Sequence, residues 1–151
     1  MSETNLQPVI VLAFSNDRDN YLETIKEERK NIFNALQDYH DKGYILVHKE
    51  ESTAIEDIFK LFRRYNDRIA IFHYGGHANG THLQLEALSG QAEPAYADGL
   101  AQLMGRQKSL QLIFLNGCAT GDQVKLLFDC GARLVIATSV SIEDKMAAEF
   151  A

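Results

Sequence analysis

The segment Ile69-Ala70-Ile71-Phe72-His73-Tyr74-Gly75-Gly76-His77-Ala78-Asn79-Gly80 decides the fold. It begins as a short, nearly continuous apolar run, the pattern of a strand covered on both faces, and ends as a glycine-rich loop carrying an imidazole. Four further runs, residues 8–14, 44–48, 110–115 and 133–138, have the same character as the run over 69–74. Amphipathic stretches separate them. Leu22, Ile25, Ile32, Leu36 and Tyr39 recur at helical spacing after the first run, and Ile55, Ile58, Phe59 and Phe62 do so after the second. Gly43 and Gly131 stand where helices are expected to end. Thr120-x-x-Gln123 and Ser141-x-x-Asp144 read as capping boxes at helix starts. This β-α-β-α order predicts an α/β fold, a three-layer sandwich with a mostly parallel sheet and right-handed crossovers.

One interruption breaks the alternation. His82-Leu83-Gln84-Leu85-Glu86 alternates as an exposed strand or hairpin arm, a small and flexible stretch follows over 87–95, and a helix is expected near 98–107. In open parallel sheets ligands bind beyond the carboxyl ends of the strands, which directs attention to the loops 15–18, 75–80, 116–121 and 139–141.

Composition bounds the function. The chain has 151 residues, 46% of them apolar and 24% charged, with 10 Gly and 2 Pro, which excludes collagen-like, low-complexity and disordered classes. It is long enough for one domain with a real core, and no repeat or second domain is evident. Its longest apolar run, residues 9–14, is far below the ~20 residues of a membrane span, so a soluble protein with no membrane partner is expected. Residues 1–7 read as a polar tail with no export signal, so the expected compartment is the cytoplasm, where Cys118 and Cys130 stay reduced. A net charge of -6 argues against a nucleic-acid partner, which needs clustered Lys and Arg.

The fourth apolar run ends in Phe114-Leu115-Asn116-Gly117-Cys118-Ala119-Thr120-Gly121. If the third and fourth runs are neighbouring strands, His77 and Cys118 stand on adjacent strand ends. A thiol with an ordinary pKa of ~8.5 is only a few per cent thiolate at neutral pH, so a nucleophilic cysteine gains from a nearby imidazole. With Thr120 as a helix N-cap, the sulfur would also feel the positive end of that helix. Other chemistries fit poorly. A cysteine phosphatase loop needs Arg six positions after the nucleophile, where Val124 stands; a nucleophile elbow needs glycines at the positions of Asn116 and Thr120; no phosphate-binding glycine loop occurs. His73, His77, His82 and Cys118 lack a standard zinc spacing, so neither metal nor cofactor is expected.

Plainer readings cover most remaining candidates. His73 reads as a core histidine with a satisfied ring, Cys130 as packing beside Phe128, His40 and His48 as solvated, and the charged cluster 26–30 as a wet helix face. Asp17, in the loop after the first run, is a candidate for a pocket that takes a basic substrate side chain, or simply a loop aspartate. His77 alone could be a turn residue and Cys118 alone a small core hydrophobe; their pairing on adjacent strand ends points to chemistry.

The two motifs, in the order His before Cys, resemble those of the caspase-like cysteine peptidases, most closely the bacterial CHAT domain, a caspase relative often fused to TPR repeats. The likeness runs from Ile69 to Ala151, through Gly131-Ala132-Arg133-Leu134-Val135-Ile136-Ala137-Thr138-Ser139 and Asp144 to Ala147-Ala148-Glu149-Phe150. It implies a cysteine endopeptidase acting on a protein substrate, with Cys118 as nucleophile and His77 as acid and base. It also implies an oxyanion hole from the backbone N–H groups of Cys118 and Ala78, where the family more often has Gly at the latter position. The alternative is a catalytically silent interaction module of the same fold. The chain stops at Ala151 within an expected helix, so residues 8–151 read as the His/Cys half of the domain. The expected partners are then a complementary C-terminal segment, a TPR-type or other regulatory partner, or a second copy of the chain.

Overall fold

The computed structural model describes residues 6–19, 21–139, 146 and 149–151. The proposed capping box at Ser141 and Asp144, and Ala147 and Ala148 of the family likeness, lie outside the described residues.

Strand β1 (Val9–Phe14) is buried along its whole length, as its unbroken apolar sequence requires of a strand sandwiched between helices. Helix α1 (Ile25–Asp41) leads to β2 (Leu46–Glu50), and α2 (Ile55–Arg64) leads back across β1 to β3 (Ile69–Gly75). An antiparallel hairpin, β4 (His82–Glu86) and β5 (Ala92–Tyr96), precedes α3 (Ala97–Gly105). Strand β6 (Leu112–Asn116), a short 3-10 turn (Thr120–Gln123), α4 (Val124–Asp129) and β7 (Val135–Ala137) follow. The main sheet is parallel throughout in the order β2-β1-β3-β6-β7, and the fold is the expected three-layer α/β sandwich.

Side-chain alternation divides the core in two. Val9, Val11, Phe72, Tyr74, Ile113 and Leu115 face α2, α3 and the hairpin, whereas Ile10, Leu12, Phe14 and Ile71 face α1. Helix α2 starts without a capping hydroxyl; the Asp57 carboxylate instead accepts the Ala54 N–H at 3.0 Å. Gly43 and Gly131 do follow helix ends, both with positive φ.

Several expectations need correction. The stretch 87–95 is not simply flexible, because residues from Ala92 pair with β4 despite Pro94, which an isolated two-stranded ribbon tolerates. Tyr39 and Phe59 keep the helical spacing but remain exposed at the margins of their apolar stripes. His40 and His48 are half-buried rather than solvated: the His40 Nδ1 accepts the Val47 N–H at 3.2 Å, and His48 contacts the Tyr65 hydroxyl at 3.0 Å and the Glu50 carboxylate at 2.8 Å. Cys130 packs against the core as expected.

Candidate active site

Strands β3 and β6 are adjacent and in register, with Gly75 opposite Asn116. The loops carrying His77 and Cys118 therefore leave the sheet side by side, and the Gly76 N–H donates to the Asn116 carbonyl at 3.3 Å. A Cβ added at Gly117 would lie 2.7 Å from the Ala78 Cβ and 2.8 Å from the Gly76 carbonyl oxygen. Only a glycine permits this approach. His77 and Cys118 are both half-buried, and neither Cys118 nor Cys130 is part of a disulfide.

The histidine loop is held from several sides. The Gln84 N–H donates to the His77 carbonyl at 2.9 Å, and the Tyr74 hydroxyl lies 2.6 Å from that oxygen and 2.7 Å from the Gln84 carbonyl. Burial pushes the Tyr74 phenol far above its ordinary range, although its contact with the Gln84 backbone works in the opposite direction, so the hydroxyl stays a donor. The Gln123 amide donates to the Asn79 carbonyl at 2.6 Å. Ala78 pairs with Leu83 between two ladder bonds, Gln84 N–H to His77 O and Asn79 N–H to His82 O. In such a non-hydrogen-bonded pair the N–H points away from the partner strand, and the Ala78 nitrogen is 3.4 Å from where a Gly117 Cβ would stand. The Ala78 amide thus borders the cysteine loop.

The cysteine loop is braced by threonines. Thr120 is not the expected N-cap: Ala119 precedes the 3-10 turn in the left-handed region at φ 52°, and the Thr120 hydroxyl donates to the Leu115 carbonyl at 3.1 Å while accepting the Thr138 N–H at 3.1 Å. The Thr138 hydroxyl donates to the Gly117 carbonyl. A cap requires an extended residue whose oxygen is available to the N2 or N3 amide, and here that oxygen is engaged across the sheet end.

Asp17 is 2% exposed. One carboxylate oxygen accepts the Asp19 N–H at 3.0 Å and the other the Gln84 side-chain amide at 2.6 Å, so it adjoins the histidine loop through Gln84. Tyr74, Gln84 and Gln123 escaped sequence reasoning because a backbone carbonyl can be held by almost any donor, and no spacing announces one.

On the α1 face, the cluster 26–30 is not wholly wet. Glu28 is 2% exposed, and its Oε1 lies 2.9 Å from His73 Nε2 and accepts the Asn116 amide at 3.0 Å. A Cβ at Gly75 would lie 2.7 Å from the same oxygen, so the carboxylate passes over a glycine. His73 is the satisfied core histidine the sequence suggested, its ring between Phe14 and Phe114. Removing one partner of such a buried hydrogen-bonded pair typically costs ~1–3 kcal/mol. Among the described residues no cluster of His, Cys, Asp and Glu could hold a metal ion, and no helix is long and apolar enough to cross a membrane.

No family model matches the chain, and no curated protein matches it. Among solved structures it is similar to a protein from Burkholderia pseudomallei, provisionally described as pilus assembly-related, at 14% identity and a TM-score of 0.40, over 93% of this chain and 90% of the other.

Proposed function

We propose that this chain is a caspase-like cysteine endopeptidase domain of the CHAT type, with Cys118 as nucleophile and His77 as general acid and base. One adjacency carries the reading: Gly117 packs against Ala78, and the two loops that bear the thiol and the imidazole emerge from neighbouring, registered strands. The Cys118 sulfur attacks a peptide carbonyl carbon as thiolate, its proton passing to His77. The backbone N–H groups of Ala78 and Cys118 stabilise the oxyanion. His77 then protonates the departing amine as the C–N bond breaks, leaving a thioester. Water attacks the thioester, giving its proton to His77, and the carboxylic acid leaves as the thiol is restored. A pocket role for Asp17 toward a basic side chain requires Gln84 to yield its contact with that carboxylate.

The test is cleavage of a mixed peptide library read by mass spectrometry. Wild type is expected to cut a restricted set of bonds, and Cys118→Ala or His77→Ala to reduce cutting to a small residual rate while the circular dichroism spectrum is kept. Cleavage by Cys118→Ala at the wild-type rate overturns the assignment. A folded wild type that cuts nothing favours the silent interaction module.

A further inference from the structure

The Glu28–His73–Asn116 cluster has no part in the chemistry above, yet it is buried, polar and placed directly beneath the two loops. A buried polar pair in a core is commonly no more stabilising than well-packed apolar side chains, so burial by itself gives Glu28 little purpose. Its contacts give it one. A single oxygen, Glu28 Oε1, meets His73 Nε2 at 2.9 Å and the Asn116 amide at 3.0 Å. Asn116 is the residue immediately before Gly117 and Cys118, and its own carbonyl accepts the Gly76 N–H, one residue before His77. Phe14 and Phe114 close the site around the His73 ring, so the cluster cannot relax toward water. Gly75 leaves the opening through which the carboxylate of α1 reaches β6.

We propose that Glu28 is a positioning residue, which fixes Asn116 from α1 and thereby sets the cysteine loop against the histidine loop. This inference rests on the peptidase reading for its consequence in catalysis, but its structural content is separate. Small misplacements of reacting groups cost large factors in rate, so a tie of this kind acts on kcat more than on KM.

The experiment compares Glu28→Gln, which keeps an acceptor oxygen, with Glu28→Leu, which keeps the volume and removes the acceptor. Ile58→Ala, a core truncation on the opposite face of the sheet, serves as a stability control. Peptide cleavage and amide exchange at Gly76, the donor to Asn116, are measured on each. Glu28→Leu is expected to lower kcat by about a hundredfold with KM within about threefold, and Glu28→Gln to recover most of that loss. Gly76 exchange should accelerate by about tenfold in Glu28→Leu alone. Wild-type kcat or unchanged Gly76 exchange in a folded Glu28→Leu overturns the proposal, as does an equal kcat loss in Ile58→Ala. If Glu28→Leu does not fold, Asn116→Ala takes its place with the same expected losses. A wild type that cuts no peptide while Gly76 exchange responds to Glu28→Leu removes the peptidase reading and leaves the positioning role standing.

Discussion

Gly117 and Ala78 touch so closely that a methyl group at Gly117 would sit 2.7 Å from the Ala78 Cβ, well inside van der Waals contact. The two loops that carry the proposed dyad are therefore fitted to each other through a position with no side chain. Gly117→Ala should spread them, at a cost of about 1–3 kcal/mol in stability and more than about tenfold in peptide cleavage. Ala78→Gly in the same chain should restore part of both losses, and only part, because the Gly76 carbonyl stands 2.8 Å from the same point. Thermal melts and cleavage rates of the singles and the double decide it. Equal losses with and without Ala78→Gly would show that the contact is not the cause.

His77 and Cys118 act as a unit in the proposed mechanism, so their losses should not add. Once either is replaced by alanine, the other has no proton to exchange or no thiolate to serve. His77→Ala/Cys118→Ala is expected to cut no more than about threefold slower than the worse single variant. A double variant as slow as the product of both single losses would mean that the two side chains act independently.

Tyr74 bears on both fold and pH. Its phenol is pushed far above its ordinary value, chiefly by burial, so the folded chain keeps the proton while an unfolded chain loses it above about pH 10. The stability tied to this group is fully present below that pH and is lost as pH rises further, by up to ~1.4 kcal/mol per pH unit. Tyr74→Phe should remove that part of the alkaline slope. Near neutral pH it should destabilise the fold by about 1–3 kcal/mol, since the His77 and Gln84 carbonyls lose a buried donor. Urea titrations between pH 7 and 11 supply both numbers, and identical alkaline slopes in the two proteins would refute the assignment.

The sheet was legible because continuous apolar runs admit few other structures, and β1, buried at every position, is the clearest instance. Boundaries shifted: the run over 44–48 became Leu46–Glu50, since pairing with Val9 to Ala13, rather than hydrophobicity, sets where β2 lies. The hairpin was half legible. Leu83 and Leu85 alternate with polar neighbours, but Ala92–Tyr96 contains Pro94 and Ala95, residues with little strand character, and is fixed by the pairing of Leu85 with Glu93. The loops that bear His77 and Cys118 could be found from their letters. Glu28 could not, because a glutamate among Lys26, Glu27, Arg29 and Lys30 looks like any solvated helix residue until Gly75 opens a way to His73. The Thr120 cap failed for a related reason: its hydroxyl oxygen, the acceptor a cap would need, takes the Thr138 N–H from across the sheet end.

Asp17 and Gln84 allow a pocket to be told from an anchor. If the Asp17 carboxylate receives a basic substrate side chain, Asp17→Asn should lose cleavage after Lys and Arg while other bonds are unaffected. If it anchors Gln84, whose backbone N–H holds the His77 carbonyl, the loss should fall on all bonds alike. Burial favours the second outcome: the side chain is 2% exposed and both oxygens already accept N–H groups, so admitting a cation would require the 2.6 Å contact with Gln84 to break. Asn in place of Asp turns one acceptor into a donor facing the Gln84 amide, which must flip or withdraw. The expected result is a uniform decrease of about three- to tenfold across the peptide library and a loss of about 1–2 kcal/mol in stability. Gln84→Glu, which sets two carboxylates against each other, should be worse than Asp17→Asn, and Asp17→Asn/Gln84→Glu should recover part of the loss. A selective decrease confined to bonds after Lys and Arg, with stability unchanged, would instead identify Asp17 as the floor of a substrate pocket.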